Sequence, residues 1–132
     1  MSSTIAIPGI AISPVIREEL SSFTDPEGQV IVHGKCYGGT SGMFIRIWPS
    51  TFLFDCHSSH RSELVYFEKI TGFPFWTPVE AGKYHFFTLV FTALPSTCTF
   101  FDLKEIIPQS YGFEHLSIER NREDVYHLDF TS

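Results

Sequence analysis

Alternation of apolar and polar residues with a period of two is the feature that most limits what this chain can become. In "KYHFFTLVFTAL" (83–94) it places Phe87, Leu89, Phe91 and Ala93 on one face. In "TFFDLKEI" (99–106) it turns Phe101 and Leu103 inward and Asp102 and Lys104 outward. A strand projects successive side chains to opposite faces, so runs of this kind are half-buried strands. "QVIVHGKCY" (29–37), "MFIRIWPSTFLFD" (43–55, broken by Pro49), "ELVYFEKI" (63–70), "FEHLSIE" and "DVYHLDF" read the same way. Gly, Pro, Asp and Ser punctuate them, most clearly in the type I turn chemistry of "DPEG" (25–28) and the loop "GGTSG" (38–42). "TIAI" and "GIAI" (4–12) read as an edge strand interrupted at Pro8-Gly9, and "GFPFWTPVEAG" (72–82), with two prolines, as an extended edge or connection. Only "PVIREELSSF" is ambiguous: Ile16, Leu20 and Phe23 have helical spacing, yet a strand leading into the turn fits equally well.

The pattern predicts one all-β domain over residues 1–132, an antiparallel sandwich or barrel of roughly eight or nine short strands. A chain of 132 residues with 43% hydrophobic residues, fourteen of them phenylalanine, has the material for one core. Nine Lys and Arg against fifteen Asp and Glu leave a charge of −6, and no basic cluster exists beyond "RNR" (120–122), itself flanked by acids. Such a field repels phosphate backbones and anionic lipid, so nucleic acid is not an expected partner. No apolar run reaches the length of a membrane span. The N-terminal stretch lacks a basic segment and is broken by Pro8 and Pro14, unlike a signal peptide. The expected compartment is the cytoplasm, the alternative being a soluble domain of an exported protein whose signal has been removed.

The second half resembles a family of uncharacterised immunoglobulin-like β-sandwich domains common in bacteria of the Bacteroidetes group. Pro49, Thr51 and Leu53 match its first strand. Phe87, Thr88, Leu89, Phe91, Leu94 and Pro95 match a Phe-Thr-Leu-x-Phe-x-x-Leu-Pro motif; Phe101, Asp102, Leu103 and Glu105 match a Phe-Asp-Leu-x-Glu strand. The resemblance covers residues 43–106 well, the last strand loosely and the first forty poorly. It implies an immunoglobulin-like sandwich and brings no activity, cofactor or catalytic residue.

The densest chemistry lies in "DCHSSHR" (55–61), where Cys56, His57 and His60 offer thiolate and imidazole ligands for zinc. A tetrahedral site needs further ligands from elsewhere, and Asp and Ser also suit the turn that two flanking strands require here, so the solvated hairpin tip is the favoured reading. The three cysteines, Cys36, Cys56 and Cys98, form no CxxC pair, and buried thiols are expected. Cys98, His85 and Asp102 do not make a nucleophilic triad by alternation, and Asp102 with Glu105 has a spacing found on any acidic surface.

The aromatics near prolines and glycines are the better candidates. "GFPFWTP" puts Phe73, Phe75 and Trp76 in an irregular segment, and Tyr84 follows it. Loop aromatics either cover the ends of a sandwich or form a contact surface. The expected function is a non-enzymatic module without a cofactor that binds a protein or another copy of itself through "TIAIPGIAI" and "GFPFWTPV". The alternatives are a carbohydrate or small-molecule binder using Phe73, Phe75, Trp76 and Tyr84 and, less favoured, a metal-binding protein.

Overall fold

A computed structural model describes the backbone of residues 5–7 and 10–12, and residues 28–108 and 112–131 in full. Residues 25–27 of the "DPEG" turn and the ambiguous segment before it lie outside the described residues. Two short strands, β1 (Ile5–Ile7) and β2 (Ile10–Ile12), precede nine more. These are β3 (Val30–Tyr37), β4 (Met43–Ile45), β5 (Thr51–Asp55), β6 (Arg61–Glu68), β7 (Thr77–Val79), β8 (Tyr84–Phe91), β9 (Phe100–Glu105), β10 (Glu114–Glu119) and β11 (Val125–Asp129). The fold is all-β, with no helix among the described residues and so none long and apolar enough to cross a membrane.

Strands β3, β5, β6, β8, β9, β10 and β11 form one sheet in the order β10-β9-β5-β6-β8-β3-β11. Every pairing in it is antiparallel except the last, where β11 runs parallel to β3 with His127 opposite His33. The sheet is therefore mixed, which corrects the antiparallel expectation. The reason lies in the connection: residues 120–124 carry the chain from β10, at one end of the sheet, to β11 at the other. Flat, those ends would stand about 29 Å apart. The link from Glu119 to Val125 reaches at most about 22 Å. The sheet must curl until its ends approach, and β11 then enters beside β3, where Ile31 N–H donates to Asp124 O at 2.9 Å. At the closed side, His115 Nε2 lies 2.9 Å from Asp129 O, and the His115 and Phe130 rings stand 4.9 Å apart.

One bend lies in β6. Its first residues, Arg61–Glu63, pair with β5, whereas Leu64–Glu68 pair with β8, and the register slips between Leu64 and Tyr66. A slip of this kind bends the strand that carries it. Inside the curl, Val30, Val32, Leu53, Leu89, Phe91, Phe101 and Leu103 are wholly buried; alternation assigned Leu89, Phe91, Phe101 and Leu103 to this face, while Ala93, assigned with them, is only partly buried. Phe101 meets Tyr126 edge to face at 5.0 Å across the core.

Two further expectations change. Residues 43–55 are not one strand: β4 pairs with β7 in a separate ladder, Met43 opposite Val79, and the chain leaves strand geometry around Pro49 before β5 begins. "TIAI" and "GIAI" are not one interrupted edge, because β1 and β2 pair with each other, Ile7 opposite Ile10. Pro8 and Gly9 themselves lie outside the described residues.

Gly34 sits in the middle of β3 opposite Phe87, where a Cβ would fall 2.5 Å from two Phe87 ring atoms and 2.8 Å from Phe130 Cε1. Gly34→Ala is expected to destabilise the fold by about 1–3 kcal/mol through overpacking, read as a lower urea midpoint at unchanged m-value. On the outer face, the His33 and His127 rings stack at 5.1 Å, and His33 Nδ1 lies 3.0 Å from Thr88 Oγ1. Burial first, and His127 second, lower the His33 pKa from 6.5 to about 4. Protonation thus favours the unfolded chain, and this group's contribution to stability falls as pH drops from 6.5 to about 4. Thermal melts across that window should show a smaller loss in His33→Gln than in wild type; parallel curves would contradict the assignment.

Candidate binding cleft

The cleft begins with the stretch after β4. Ile45 and Ile47 are buried, so Arg46 between them projects to the other side. Ile47 bridges Gly72 in parallel, its N–H donating to Thr71 O and its carbonyl accepting from Phe73 N–H, each at 2.8 Å. That pair of bonds pins residues 71–73. The following loop is tied again by Phe75 N–H to Gly72 O at 3.0 Å, Thr71 N–H to Thr77 Oγ1 at 2.9 Å, and the Thr71 hydroxyl to Phe75 O at 3.0 Å. The Phe73–Pro74 peptide is cis. Loop aromatics held this way are set before any ligand arrives.

Arg46 lies among three of those rings. Its guanidinium carbon is 3.8 Å from the Trp76 centroid, 4.6 Å from Phe73 and 5.6 Å from Trp48, and Nη1 donates to Pro74 O at 3.2 Å. Trp48 and Phe73 stack at 3.9 Å. Ring faces attract a guanidinium by about 0.5–2 kcal/mol, more as water is excluded. Beside this group opens a cleft of about 260 Å³. Its deeper wall includes Cys36, Ile45 and Phe130, which are buried, and its lip includes Phe44 and Trp76, which are exposed.

Glu105, at the end of β9, also lines the cleft. Its Oε2 accepts from Trp48 N–H at 2.9 Å and its Oε1 from Phe113 N–H at 3.1 Å. Burial pushes its pKa up; the two N–H donors and the nearby Arg46 charge pull the other way without reversing it. The carboxylate therefore works as a brace between two cleft-lining aromatics.

The structure brings Phe73 and Trp76 together, with Phe75 at the loop tip, 44%, 52% and 69% exposed respectively. Tyr84 stands elsewhere, on the outer face of β8, where it meets Tyr37 at 5.0 Å and Lys35 Nζ at 5.0 Å. Arg46 and Glu105 were missed as cleft residues. In the sequence Arg46 is only the polar partner in an Ile-Arg-Ile alternation, and nothing local shows that its outward side faces a tryptophan.

Residues 55–61 form the turn between β5 and β6. Asp55 organises it: Oδ1 accepts from His57 N–H at 3.0 Å and Oδ2 from the Ser58 hydroxyl at 2.7 Å. These bonds lower the Asp55 pKa, the His57 N–H contributing most. Cys56 donates to Asp102 Oδ1 at 3.4 Å, while His60 Nε2 points to Ser62 Oγ at 3.0 Å and Ala93 O at 3.1 Å. Cys56, His57 and His60 thus do not converge, and no group of three His, Cys, Asp or Glu side chains among the described residues is arranged to hold a metal. Cys98 is buried, its pKa raised to about 11 by burial first and Asp55 second. His85 Nε2 faces Lys69 O and Asp102 accepts from Ser117 N–H, so Cys98, His85 and Asp102 each bond elsewhere.

Compared with protein-family models, curated proteins and solved structures, the chain matches none of them. The likeness of residues 43–106 to the immunoglobulin-like family stands on its sequence motifs alone.

Glu105→Ala removes the acceptor for two backbone N–H groups, a loss expected to cost about 1–3 kcal/mol in denaturant unfolding. Freed from its brace, Trp48 should gain solvent exposure, seen as a red shift of tryptophan emission. Unchanged stability and emission would contradict the bracing role.

Proposed function

We propose that this chain is a non-catalytic β-sandwich module that binds a segment of another protein in the cleft beside Arg46. The observation that carries the reading is the cluster itself: a guanidinium set among Trp48, Phe73 and Trp76 at the mouth of an apolar cleft. Tryptophan, phenylalanine, methionine and arginine are the residue types enriched where proteins meet, and buried aromatic and arginine anchors dominate such energies. The cavity of about 260 Å³ has room for one or two side chains and lies just under the roughly 300 to 1,000 Å³ of pockets for drug-sized molecules. The exposed Phe44 and Phe75 then flank the segment outside the cleft.

The sandwich reading draws on the handover of β6 from β5 to β8 and on the Phe101–Tyr126 contact, the features expected if two parts of the curled sheet face each other as layers. The immunoglobulin-like kind is the one that residues 43–106 resemble.

Random linear peptides displayed with free carboxyl ends, and separately with free amino ends, test the function. Enriched peptides should share an aromatic or branched aliphatic anchor. Their affinity should fall roughly tenfold, about 1.4 kcal/mol, in Trp76→Ala at unchanged melting temperature. No enrichment in either format, or peptides indifferent to Trp76, would sink the reading.

A further inference from the structure

We infer that the cleft takes the free carboxyl end of a partner chain, with the last side chain in the apolar cavity and the terminal carboxylate on Arg46. This rests on the cleft reading above and adds the chemistry of the occupant. A guanidinium carries five N–H donors in a planar fork. In Arg46 one bond runs to Pro74 O, and no other described residue accepts from the rest. Aromatic faces above a guanidinium leave its edge, where the N–H groups point, open to an acceptor. The matching acceptor is a carboxylate, which takes two parallel N–H bonds in the same plane.

The protein's own nearby carboxylate does not fill that role. Glu105 lines the same cleft, yet it forms no ion pair with Arg46; its two oxygens accept from Trp48 N–H and Phe113 N–H. Its presence also selects among anions. A ligand with several negative charges would meet Glu105 inside the cleft and a chain of net charge −6 around it. A single carboxylate held at the mouth avoids most of that repulsion.

The terminal position follows from adjacency. Arg46 belongs to the cleft's own lining, so cation and apolar wall lie within one side chain of each other. A terminal carboxylate is attached to the same α-carbon as the side chain that would fill the cavity. An internal Asp or Glu needs its own side chain at the mouth and a second residue, on a different α-carbon, to fill the cavity. The apolar wall of Met43, Ile45, Phe113 and Phe130 calls for Leu, Met or Phe as the last residue.

Three acetylated probes decide it by calorimetry: Gly-Ser-Gly-Phe with a free carboxyl end, the same peptide amidated, and amidated Gly-Asp-Gly-Phe. The free acid should bind at least about tenfold tighter than its amide, the loss expected for one charge-assisted hydrogen bond. That preference should vanish in Arg46→Met, which can still pack on Trp76, and shrink in Arg46→Lys, which keeps the charge without the fork. Equal binding of acid and amide would overturn the carboxylate while leaving the cleft a binding site. The aspartyl amide binding as tightly as the free acid would overturn the terminal position. If no probe binds folded wild-type protein, the inference fails outright; peptides from the display experiment that still depend on Trp76 would show that the cleft reading survives it.

Discussion

A sheet of seven strands whose first and last members are joined by residues 120–124 has to bend back on itself, and much of the molecule follows from that short tether. The tether is rigid. Arg120 holds Asp124 through both Nε and Nη2, the latter at 2.9 Å, and its Nη1 reaches Pro95 O at 2.7 Å and Cys98 O at 3.2 Å. The Tyr126 hydroxyl donates to Asp124 Oδ1 and accepts from Asn121 N–H, each at 2.9 Å. Burial is the first cause of a Tyr126 pKa raised to about 12, so the phenol stays a donor throughout the working pH range. The ion pair is largely shielded from water, a setting in which loss of one partner costs more than the pair contributes net. The Arg120 charge of "RNR" is thus spent inside the fold.

Curling also makes the cleft. Phe113 immediately precedes β10, at one end of the sheet, and Phe130 immediately follows β11, at the other. They meet edge to face at 4.8 Å, and Phe87 from the middle of the sheet stacks behind them at 6.3 Å and 5.3 Å. The wall of the cleft is therefore the seam where the sheet closes. Glu105 ties that wall to the aromatic loop, since Phe113 N–H and Trp48 N–H share its carboxylate. A change in the tether at Arg120 and a change in the brace at Glu105 reach the same cavity by different routes.

The buried face of β8 and β9 was legible because alternation depends only on the pleat of a single strand. Phe87, Leu89, Phe91, Phe101 and Leu103 lie where it put them. Partner choice was not legible. Whether β11 pairs with β10, its neighbour in sequence, or with β3 depends on the length of a loop and the bend of a distant strand, neither of which leaves a periodic trace. The Trp48–Pro49 break was visible as a proline, but its consequence, a separate β4–β7 ladder, needed the position of residues 77–79. At the site, aromatic content marked Phe73, Phe75 and Trp76, whereas Arg46 and Glu105 read as ordinary outward polar positions. Tyr84 followed the same compositional cue onto a different face of the protein.

Two of the exposed aromatic surfaces among the described residues are not equivalent. Tyr37, Tyr84 and Phe86 lie on adjacent strands of the outer face, and Lys35 extends over the Tyr84 ring. A lysine is a strongly hydrated point charge on a flexible stem, and its pairing with an exposed ring keeps such a patch wet. The surface at Arg46 differs in both respects. The backbone that carries Phe73 and Phe75 is held by hydrogen bonds to Ile47 and Gly72, and the cation is planar and weakly hydrated. Ordering costs oppose binding in proportion to the freedom a surface must give up. The Arg46 cluster has less of that freedom to lose, which is the physical reason the proposed recognition is placed there rather than at the tyrosine patch.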